Sequence, residues 1–438
     1  MFDLQALGIG GGSLAMFGLL LLLLVTGMQL AFVTILVALI FALGWFGPMA
    51  VPIVTTRIYS FLTQYVFVSV PMFVLMASVL DRSGIARDLF DAMRLFAGRI
   101  RGGVGVQTLL VAVVLAAMSG IIGGEIVLLG LLALPQMLRL GYDRRLAIGI
   151  VCAGGALGTM IPPSIVLIIY GLSANVSIGE LFTASFVPGL LLAGLYIAYV
   201  LILGLIAPHK VPVPDRTVKV DRAEKLRLLK GLVLPLLVVV FVLGSIYGGI
   251  ASVTEASAIG VVGVVLSTIL RGEFSFRMMM DAALQTLRTC GMIVWIGVGA
   301  TALIGVYNLM GGIDFIKELL LGVSDTPIVI ILVMMLILGV LGMFLDWVGI
   351  ALLTIPIFVP IVVSLGYDPI WFGVLFSLNM QVSFLSPPFG PAAFYLKSVA
   401  PPDISLGTIF RSLVPFIGLQ LVALALVIMF PSLALWYR

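Results

Sequence analysis

Long apolar runs with almost no charge between them constrain this chain more than any other feature of its sequence. Charged side chains make up only 10% of its 438 residues, against about 25% in soluble globular proteins. So few charges cannot cover a water-facing surface, so most of the chain must fold in lipid. At about 20 residues per span, the length allows roughly ten to thirteen membrane-embedded segments. Because helices satisfy their own backbone in lipid, we expect an all-α polytopic membrane protein.

The rest of the composition excludes several classes of protein. The net charge of +4 is spread over loops and forms no basic stripe, so nucleic-acid binding is not expected. The single histidine, His209, cannot supply a pair of haem ligands, and no GxxxxGK[ST] phosphate-binding motif occurs. We expect no resident cofactor. We also expect no enzymatic activity, because the carboxylates within apolar runs lie in separate segments without a partner histidine.

The few charges predict the orientation of the chain in the membrane. Four segments are rich in Lys and Arg, and the positive-inside rule places all four on the cytoplasmic face. Residues 308–325 and 365–370 are neutral to acidic, which suits the opposite face. Arg57, Lys397 and Arg411 lie near the ends of apolar runs and are expected at the membrane interface. The four basic segments are 81–101, 139–145, 208–230 and 271–288.

The two halves of the chain resemble each other. LGYD at 140–143 recurs at 365–368, and at the same offset Pro162-Pro163 matches Pro387-Pro388. Arginines flank the first LGYD and none flanks the second, so the two equivalent loops should lie on opposite faces of the membrane. This pattern predicts an inverted-topology repeat.

The repeat predicts two units joined by a cytoplasmic linker at 208–230. In each unit, one apolar segment should enter and leave on the same face as a re-entrant hairpin, followed by a broken helix. The first repeat, 1–207, comprises scaffold helices at 13–80, an arm helix at 81–101, a hairpin at 104–138, a broken helix at 146–171 and a helix at 177–207. The second, 231–438, comprises scaffold helices at 231–310, an arm at 311–325, a hairpin at 327–364, a broken helix at 369–395 and a helix at 405–436.

Glycine and proline pairs interrupt the hairpins and the helices that follow them. Irregular backbone at membrane depth is tolerated only where it is buried in protein or lines a cavity. Two consecutive prolines remove two amide donors, which leaves carbonyls free beside Ser and Thr hydroxyls. Such oxygens can bind a hard cation, and the amino ends of half-helices attract anions. A single glycine is explained equally well by close packing of two helices. Two Pro-Pro breaks at equivalent positions of the two halves favour a binding site.

Three carboxylates, Glu125, Glu255 and Asp346, lie within apolar segments, where a charge is costly and needs a role. Glu125 and Asp346 fall at the tips of the predicted hairpins, where each could be a cation ligand, a proton carrier or a counter-charge. Helix capping is the alternative, and it is strongest for Glu255, at an expected helix start. Asn379 offers either a further oxygen ligand or a structural hydrogen bond.

Taken together, several motifs resemble the large membrane subunit of TRAP (tripartite ATP-independent periplasmic) transporters, the DctM-like family. The resemblance covers essentially the whole chain and implies an elevator-type secondary transporter of the bacterial inner membrane. It also implies a small four-helix membrane subunit and a soluble periplasmic binding protein that delivers an organic anion. The motifs are MSGIIGGE at 118–125, IPPS at 161–164, GGIASVTEASA at 248–258, GMFLD at 342–346 and FLSPPFGPAAFY at 384–395.

The resemblance further implies a sodium site between each hairpin tip and the adjacent broken helix. Gly123, Gly124, Ser164 and Gly390 are the expected substrate contacts between the tips. Many members of the family have SGSS at the first tip, where this chain has SGIIGGE. The first sodium site is expected at Ser119, Gly120, Gly154, Gly158, Thr159 and Pro162, with Glu125 added for its position. The second is expected at Gly342, Asp346, Ser383, Ser386 and Pro387, with Asn379 added.

We therefore expect secondary active uptake of a small organic anion such as a carboxylate. Sodium is the expected coupling ion, with protons as the alternative. A stand-alone ion-coupled carrier of the wider two-hairpin group, which needs no binding protein, is the alternative function. A passive channel would not need two inverted copies with matching breaks.

Overall fold

The computed structural model describes residues 4–93, 101–120, 123–212 and 222–438, and every regular element in these ranges is helical. Eight helices are long and apolar enough to cross a membrane, judged by length and composition over the described residues. Shorter apolar helices of 10–17 residues accompany them. The expected all-α polytopic architecture is confirmed at this level.

The helices are numbered in chain order, and short 3-10 turns join several of them. In the first half they are α1 (Gly8–Val25), α2 (Leu30–Phe46), α3 (Ala50–Leu62), α4 (Ser69–Arg82), α5 (Ile85–Met93), α6 (Gly103–Ser119), α7 (Gly124–Arg139), α8 (Arg144–Ala156), α9 (Ile165–Ala174) and α10 (Ile178–Ile206). In the second half they are α11 (Arg222–Tyr247), α12 (Val253–Leu270), α13 (Phe276–Leu309), α14 (Gly312–Leu321), α15 (Pro327–Gly342), α16 (Trp347–Ser364), α17 (Pro369–Leu385), α18 (Pro391–Lys397) and α19 (Leu406–Met429).

Helices α1–α4 and α11–α13 correspond to the predicted scaffold, and we call them the scaffold helices. The long helix α13 packs along α2, α3 and α4, and α12 packs on α4 and α11. Small residues allow this close approach, as is usual between helices in membranes. A methyl group at Gly297 would lie 2.3 Å from the Phe61 ring, and one at Gly299 would lie 2.1 Å from the Thr34 hydroxyl.

Helices α6 and α7 form a hairpin, and so do α15 and α16. In the first, the Gly105 amide at the start of α6 donates to the Tyr142 hydroxyl just beyond α7, at 3.3 Å. The two ends of this hairpin therefore meet. Each hairpin is followed by a helix that breaks partway, α8 into α9 and α17 into α18. The order of elements is thus the same in both halves.

The two LGYD loops lie at opposite ends of α10. The Asp143 amide donates to the Lys210 carbonyl, just beyond the carboxyl end of α10, at 2.9 Å. Asp368 is joined through Arg438 to Glu180, which lies in the first turn of α10. The 29 residues of α10 separate the loops by roughly 40 Å, at about 1.5 Å per residue.

The two broken helices run in opposite directions. The Tyr170 hydroxyl on α9 donates to the Pro369 carbonyl at the start of α17, at 2.6 Å. Arg144 at the start of α8 pairs with Asp403, beyond the end of α18, at 2.7 Å. Each broken helix therefore ends beside the start of the other.

Two element boundaries differ from the sequence prediction. The arm was predicted from residue 81, but α4 continues through Arg82, whose guanidinium donates to the Ser78 carbonyl one turn earlier at 3.2 Å. The arm helix α5 begins only at Ile85, and residues 94–100 of the predicted arm lie outside the described residues. The linker was predicted over 208–230, but α11 already begins at Arg222. Residues 213–221 of that linker are likewise outside the described ranges.

Because the two LGYD loops lie at opposite ends of α10, cysteines placed beside them should react with a reagent from opposite sides of the membrane. Ser364 and Arg145 are both exposed, beside the second and the first loop respectively. In a Cys290→Ser background in spheroplasts, we expect a membrane-impermeant maleimide to label Ser364→Cys from outside. Arg145→Cys should react only after the membrane is permeabilised, because the basic loops face the cytoplasm. Labelling of both positions from the same side would contradict the arrangement.

Candidate functional site

The tip of the first hairpin sits directly on the first helix break. Gly120 ends α6 in the left-handed region with φ 61°, and its carbonyl accepts from the Ile165 amide at 3.4 Å. A methyl group at position 120 would lie 2.2 Å from the Pro163 carbonyl oxygen. Only glycine permits both this backbone conformation and this approach. The tip and the broken helix therefore form one surface.

The second hairpin makes an equivalent contact with the second broken helix. A methyl group at Gly342 would lie 1.9 Å from the Ser383 hydroxyl oxygen, so the end of α15 rests on α17. About one turn before Ser383, the Asn379 side-chain amide donates to the carbonyl of Met335 on α15 at 2.7 Å. The Asn379 Oδ1 atom is buried and has no hydrogen-bond partner among the described residues. It is therefore an acceptor oxygen free for a ligand.

Side chains of α17 satisfy carbonyls that the first break leaves free. Gln381 donates to the Ala156 carbonyl at 2.8 Å and to the Thr159 hydroxyl at 2.7 Å. Ser377 donates to the Thr159 carbonyl at 2.9 Å. Buried carbonyls at a helix end must find partners, and here the second half of the chain supplies them. The first break is consequently held against α17, the helix that leads into the second break.

Glu125 lies buried at the junction of the first tip and the first break. Its side chain is 2% exposed and accepts a hydrogen bond from the Ser119 hydroxyl. A methyl group at Gly158 would come within 2.8 Å of Glu125 Oε1, so the carboxylate occupies the space that this glycine leaves. The other carboxylate oxygen, Oε2, has no hydrogen-bond partner among the described residues. A buried, unpaired carboxylate oxygen suits a hard cation.

A cavity of about 410 Å³ opens where both tips and both breaks meet the scaffold helices, and we call it the central cavity. Its lining includes the acidic residues Asp81 and Asp346 and the basic residue Arg82. From the scaffold come Ser78, Asp81 and Arg82 of α4 and Gln285, Thr289, Met292 and Ile293 of α13. From the hairpins and breaks come Gly120, Gly123, Gly124, Val127, Thr159, Ile165, Val166, Asp346, Trp347, Phe384, Pro391 and Tyr395.

Three helices of eight or more residues, α7, α9 and α16, begin at the central cavity, so their positive dipole ends point towards it. The Ser164 hydroxyl caps α9 and the Asp346 carboxylate caps α16, by accepting from the Leu167 and Val348 amides. The cap residue of α7 is Gly123, which has no side chain to cap the helix. The Asp81 carboxylate lies beside this helix end, because a methyl group at Gly124 would approach Asp81 Oδ2 to 2.1 Å. An anion bound by the amides of this helix end and Arg82 would therefore share the cavity with Asp81.

The structure brings together most residues expected at the first sodium site. Ser119 and Gly158 both contact Glu125, and Gly120, next to Ser119, contacts the first break at Pro163 and Ile165. Thr159 is adjacent, but its hydroxyl and its carbonyl already have hydrogen-bond partners. Gly154 lies one turn deeper and faces the apolar side chains of Leu109 and Ala112. Pro162 lies in the turn of the first break.

The residues expected at the second sodium site are more spread out. Gly342, Asn379 and Ser383 lie together where α15 meets α17. Asp346 lines the central cavity as the cap of α16. The Ser386 hydroxyl donates to the Val382 carbonyl within its own helix at 2.8 Å, and Pro387 follows it in the turn of the second break.

Of the four expected substrate contacts, the structure places two in the central cavity. Gly123 and Gly124 line it. Ser164 instead caps α9 and donates to the Thr159 carbonyl at 2.5 Å. Gly390 is packed between the Phe410 ring and the Ser386 carbonyl. Because both are engaged inside the protein, neither reaches the cavity.

The helix-capping interpretation accounts for Glu255. Its carboxylate accepts from the Ser252 amide at 2.7 Å, and the Ser252 hydroxyl accepts from the Glu255 amide at 3.3 Å. This reciprocal pair is a capping box at the start of α12. Glu255 therefore has a structural role.

Sequence reasoning missed several polar residues of the site. Asp81 and Arg82 were assigned to the interfacial arm because they begin a basic segment, yet both line the central cavity. Gln285 lies in 271–288, another of the basic segments, and it too lines the central cavity. Gln381 offered the clearest signal, since a glutamine two residues after Asn379 in an otherwise apolar helix needs a partner. Among the described residues, no three His, Cys, Asp or Glu side chains converge on one point.

Comparisons with known proteins give one consistent result. A family model described as the DctM component of the tripartite ATP-independent periplasmic transporter matches residues 17–433. The C4-dicarboxylate TRAP transporter large permease protein DctM of Vibrio cholerae is 30% identical, over 95% of this chain and 96% of its own length. The ectoine/5-hydroxyectoine large permease protein UehC of Ruegeria pomeroyi is also 30% identical, over 85% of each chain.

Among solved structures, the chain resembles the YdaH transporter of Alcanivorax borkumensis. The TM-score is 0.63 at 15% sequence identity, over 88% of this chain and 87% of the other. At this identity the likeness concerns the fold alone. It extends to nearly the whole helical architecture described above.

The contact between Gly342 and Ser383 predicts a specific rescue. Gly342→Ala should lower the free energy of unfolding of the purified protein by about 1–3 kcal/mol, and with it the melting temperature. The reason is that the added methyl group overlaps the Ser383 side chain. The double variant Gly342→Ala/Ser383→Gly should recover much of that loss. Gly418→Ala on α19 is the matched control, because a methyl group there meets nothing within 4 Å. Equal melting temperatures for Gly342→Ala and Gly418→Ala would refute the contact.

Proposed function

The chain belongs to the DctM component family of tripartite ATP-independent periplasmic transporters, and we propose that it carries out cation-coupled uptake of a small organic anion bearing a carboxylate. It is a multi-pass protein of the bacterial inner membrane. The observation that carries the proposal is the central cavity, where both hairpin tips and both helix breaks meet.

The central cavity has the features that a carboxylate site needs. Arg82 supplies positive charge, and the amino end of α7, where the Asp81 carboxylate also lies, supplies amide donors. Gln285, Thr289 and Tyr395 add neutral polar groups, while Trp347 and Phe384 offer apolar surface. The relatives named above are permeases for C4-dicarboxylates and for ectoines, compounds that carry carboxylate groups. This shared chemistry supports a carboxylate as the group recognised.

Sodium is the coupling ion that we propose, bound beside each hairpin tip. Glu125, Ser119 and nearby backbone carbonyls would hold it at the first tip, and the Asn379 Oδ1 atom would contribute at the second. The support is that each place holds a buried acceptor oxygen without a partner among the described residues. A bound cation would bring positive charge to the cavity wall and so favour the anion. Binding of the two solutes would thereby be coupled.

We further propose that the two halves form an inverted-topology repeat that works as an elevator. Support comes from the LGYD loops at opposite ends of α10 and from the antiparallel broken helices. The hairpins and broken helices would move as one unit, because Gln381 and Ser377 tie the first break to α17. The scaffold helices would stay fixed. The central cavity lies at the boundary between the two groups.

The partners we propose are a small four-helix membrane subunit and a periplasmic binding protein that delivers the anion. The family name, which describes a tripartite transporter, supports three components. A stand-alone carrier with the same two-hairpin architecture remains the rival function. Reconstitution distinguishes them, because only the tripartite protein needs its binding protein for uptake.

We expect uptake into proteoliposomes that contain this chain with its small subunit and binding protein to require an inward sodium gradient. Collapsing that gradient should abolish accumulation, while collapsing a proton gradient alone should not. Omitting the binding protein separates the tripartite transporter from the stand-alone carrier. Accumulation that is indifferent to both ion gradients would eliminate coupled transport.

Asp346→Asn should uncouple transport without unfolding the protein. Asparagine caps helices about as well as aspartate, so the start of α16 is kept while the negative charge at the cavity is lost. Sodium affinity, measured from the sodium dependence of uptake, should fall about tenfold or more. Asp143→Asn is the matched control, because Asp143 caps α8 at 3.0 Å and does not line the cavity. Wild-type sodium dependence in Asp346→Asn would refute the role.

A further inference from the structure

A second polar cavity lies between the scaffold helices and the hairpin unit, away from the central cavity. Its volume is about 320 Å³, and we call it the Arg57 cavity. None of the described residues that line it is Asp or Glu, so Arg57 gives it a net positive charge. Its polar lining consists of Arg57, Ser60 and Gln64 on or just after α3, Ser173 on α9, and Thr301 and Asn308 on α13.

Arg57 is exposed, like Ser60, Gln64 and Asn308 of the same cavity, and it has no partner within the part of the chain that the structure describes. No carboxylate lies within 4.0 Å of its guanidinium there, and no hydrogen bond engages it. Its aliphatic stem packs over Gly305 of α13, where a methyl group would approach Arg57 Cγ to 3.3 Å. The buried Ser173 hydroxyl, also in the lining, lacks a partner among the described residues too. An unpaired guanidinium beside free hydroxyls and amides suits a carboxylate.

The two cavities lie along the same helix. Thr289 of the central cavity and Thr301 of the Arg57 cavity both belong to α13. They are separated by about 18 Å along the helix axis, at roughly 1.5 Å per residue. Because α13 starts within the basic segment 271–288, which the positive-inside rule places on the cytoplasmic face, the Arg57 cavity lies in the half of the protein away from the cytoplasm.

Each cavity combines one arginine of α3 or α4 with hydroxyl or amide side chains of α13. In the central cavity these are Arg82, Gln285 and Thr289. In the Arg57 cavity they are Arg57, Thr301 and Asn308. Both cavities are closed on the other side by α9 and α16, which belong to the hairpin unit. The scaffold therefore presents an arginine, a threonine and a side-chain amide in each cavity, at two positions along α13.

We propose that the Arg57 cavity is a second binding station for the carboxylate of the transported anion, used when the hairpin unit stands away from the cytoplasm. This inference rests on the proposed function. In the outward position the tips would carry the anion past Arg57, Thr301 and Asn308, and in the inward position past Arg82, Gln285 and Thr289. Arg57 is a specificity-determining residue on this view, acting on the anion before its translocation.

The first test is the concentration dependence of uptake by Arg57→Gln in the complete transporter. Loss of a charge-assisted contact at the outward station should raise the KM for the anion-loaded binding protein, varied at saturating anion, by about tenfold or more, with a smaller change in kcat. Arg57→Lys, which keeps the charge, should fall between wild type and Arg57→Gln. Arg277→Gln is the matched control, an exposed arginine of α13 that lines neither cavity. An unchanged KM in Arg57→Gln would overturn the proposal.

The second test measures anion attraction without transport. In a Cys290→Ser background reconstituted in phosphatidylcholine vesicles, Asn308→Cys is reacted with an anionic sulfonatoethyl or a cationic trimethylammonioethyl methanethiosulfonate. The anionic reagent should be favoured about tenfold, and Arg57→Gln should remove that preference. Ser60→Cys, on the other wall, replaces Asn308→Cys if the latter does not fold. A preference that survives Arg57→Gln would contradict an anion site built on this arginine.

The same labelling in vesicles containing phosphatidylglycerol distinguishes the transported anion from a lipid headgroup. If the preference for the anionic reagent disappears only in the vesicles that contain phosphatidylglycerol, a lipid phosphate occupies the Arg57 cavity. The proposed binding station is then refuted. The tests also separate this inference from the proposed function. Charge-selective labelling without any coupled uptake would leave an anion site at Arg57 but refute the function, and with it the role of that site in transport. Coupled uptake by Arg57→Gln with wild-type kinetics would refute the station alone.

Discussion

Backbone groups that leave a helix inside a membrane must find partners within the protein, because hydrocarbon offers none. In this chain the requirement arises at two hairpin tips and two helix breaks, and for the first tip and the first break it is met by neighbouring elements of the same group. The Gly120 carbonyl accepts from α9, while the carbonyls of Ala156 and Thr159 accept from side chains of α17. The irregular segments therefore converge on one place, and the central cavity is the space that they enclose.

This mutual satisfaction also explains why the unpaired atoms are informative. Most polar groups at the junction have partners, so the few that lack one mark where a ligand would fit. Glu125 Oε2 at the first tip, Asn379 Oδ1 where α17 meets α15, and Gln381 Oε1 beside the first break are such atoms among the described residues. All three are acceptors, which suits a cation, whereas Arg82 suits an anion. The proposed coupling of a cation to an organic anion follows from this division.

The boundary between the scaffold and the hairpin unit is where the structure adds most to the sequence. Arginine is costly within a membrane unless it faces protein or water, and each of these two arginines borders a polar cavity. The sequence places Arg57 and Arg82 near the ends of apolar runs, where interfacial anchoring is the simplest expectation. Their shared relation to α13 depends on packing between helices distant in the chain. No pattern within a single segment of the sequence indicates this relation to α13.

The sequence by itself determined the solvent, the helical class, the paired breaks and the bounds of both hairpins to within a few residues. These features follow from local rules, since charge scarcity, consecutive prolines and glycine pairs act on the backbone where they stand. Only the tertiary structure decided which polar groups meet. It gave Ser164, Gly390 and Glu255 structural roles, brought Asp81 and Arg82 to the cavity, and joined Gln381 to the opposite break. The physical reason is that a buried hydrogen bond depends on distance in space, and in a bundle of packed helices that distance is set by contacts far apart in the chain.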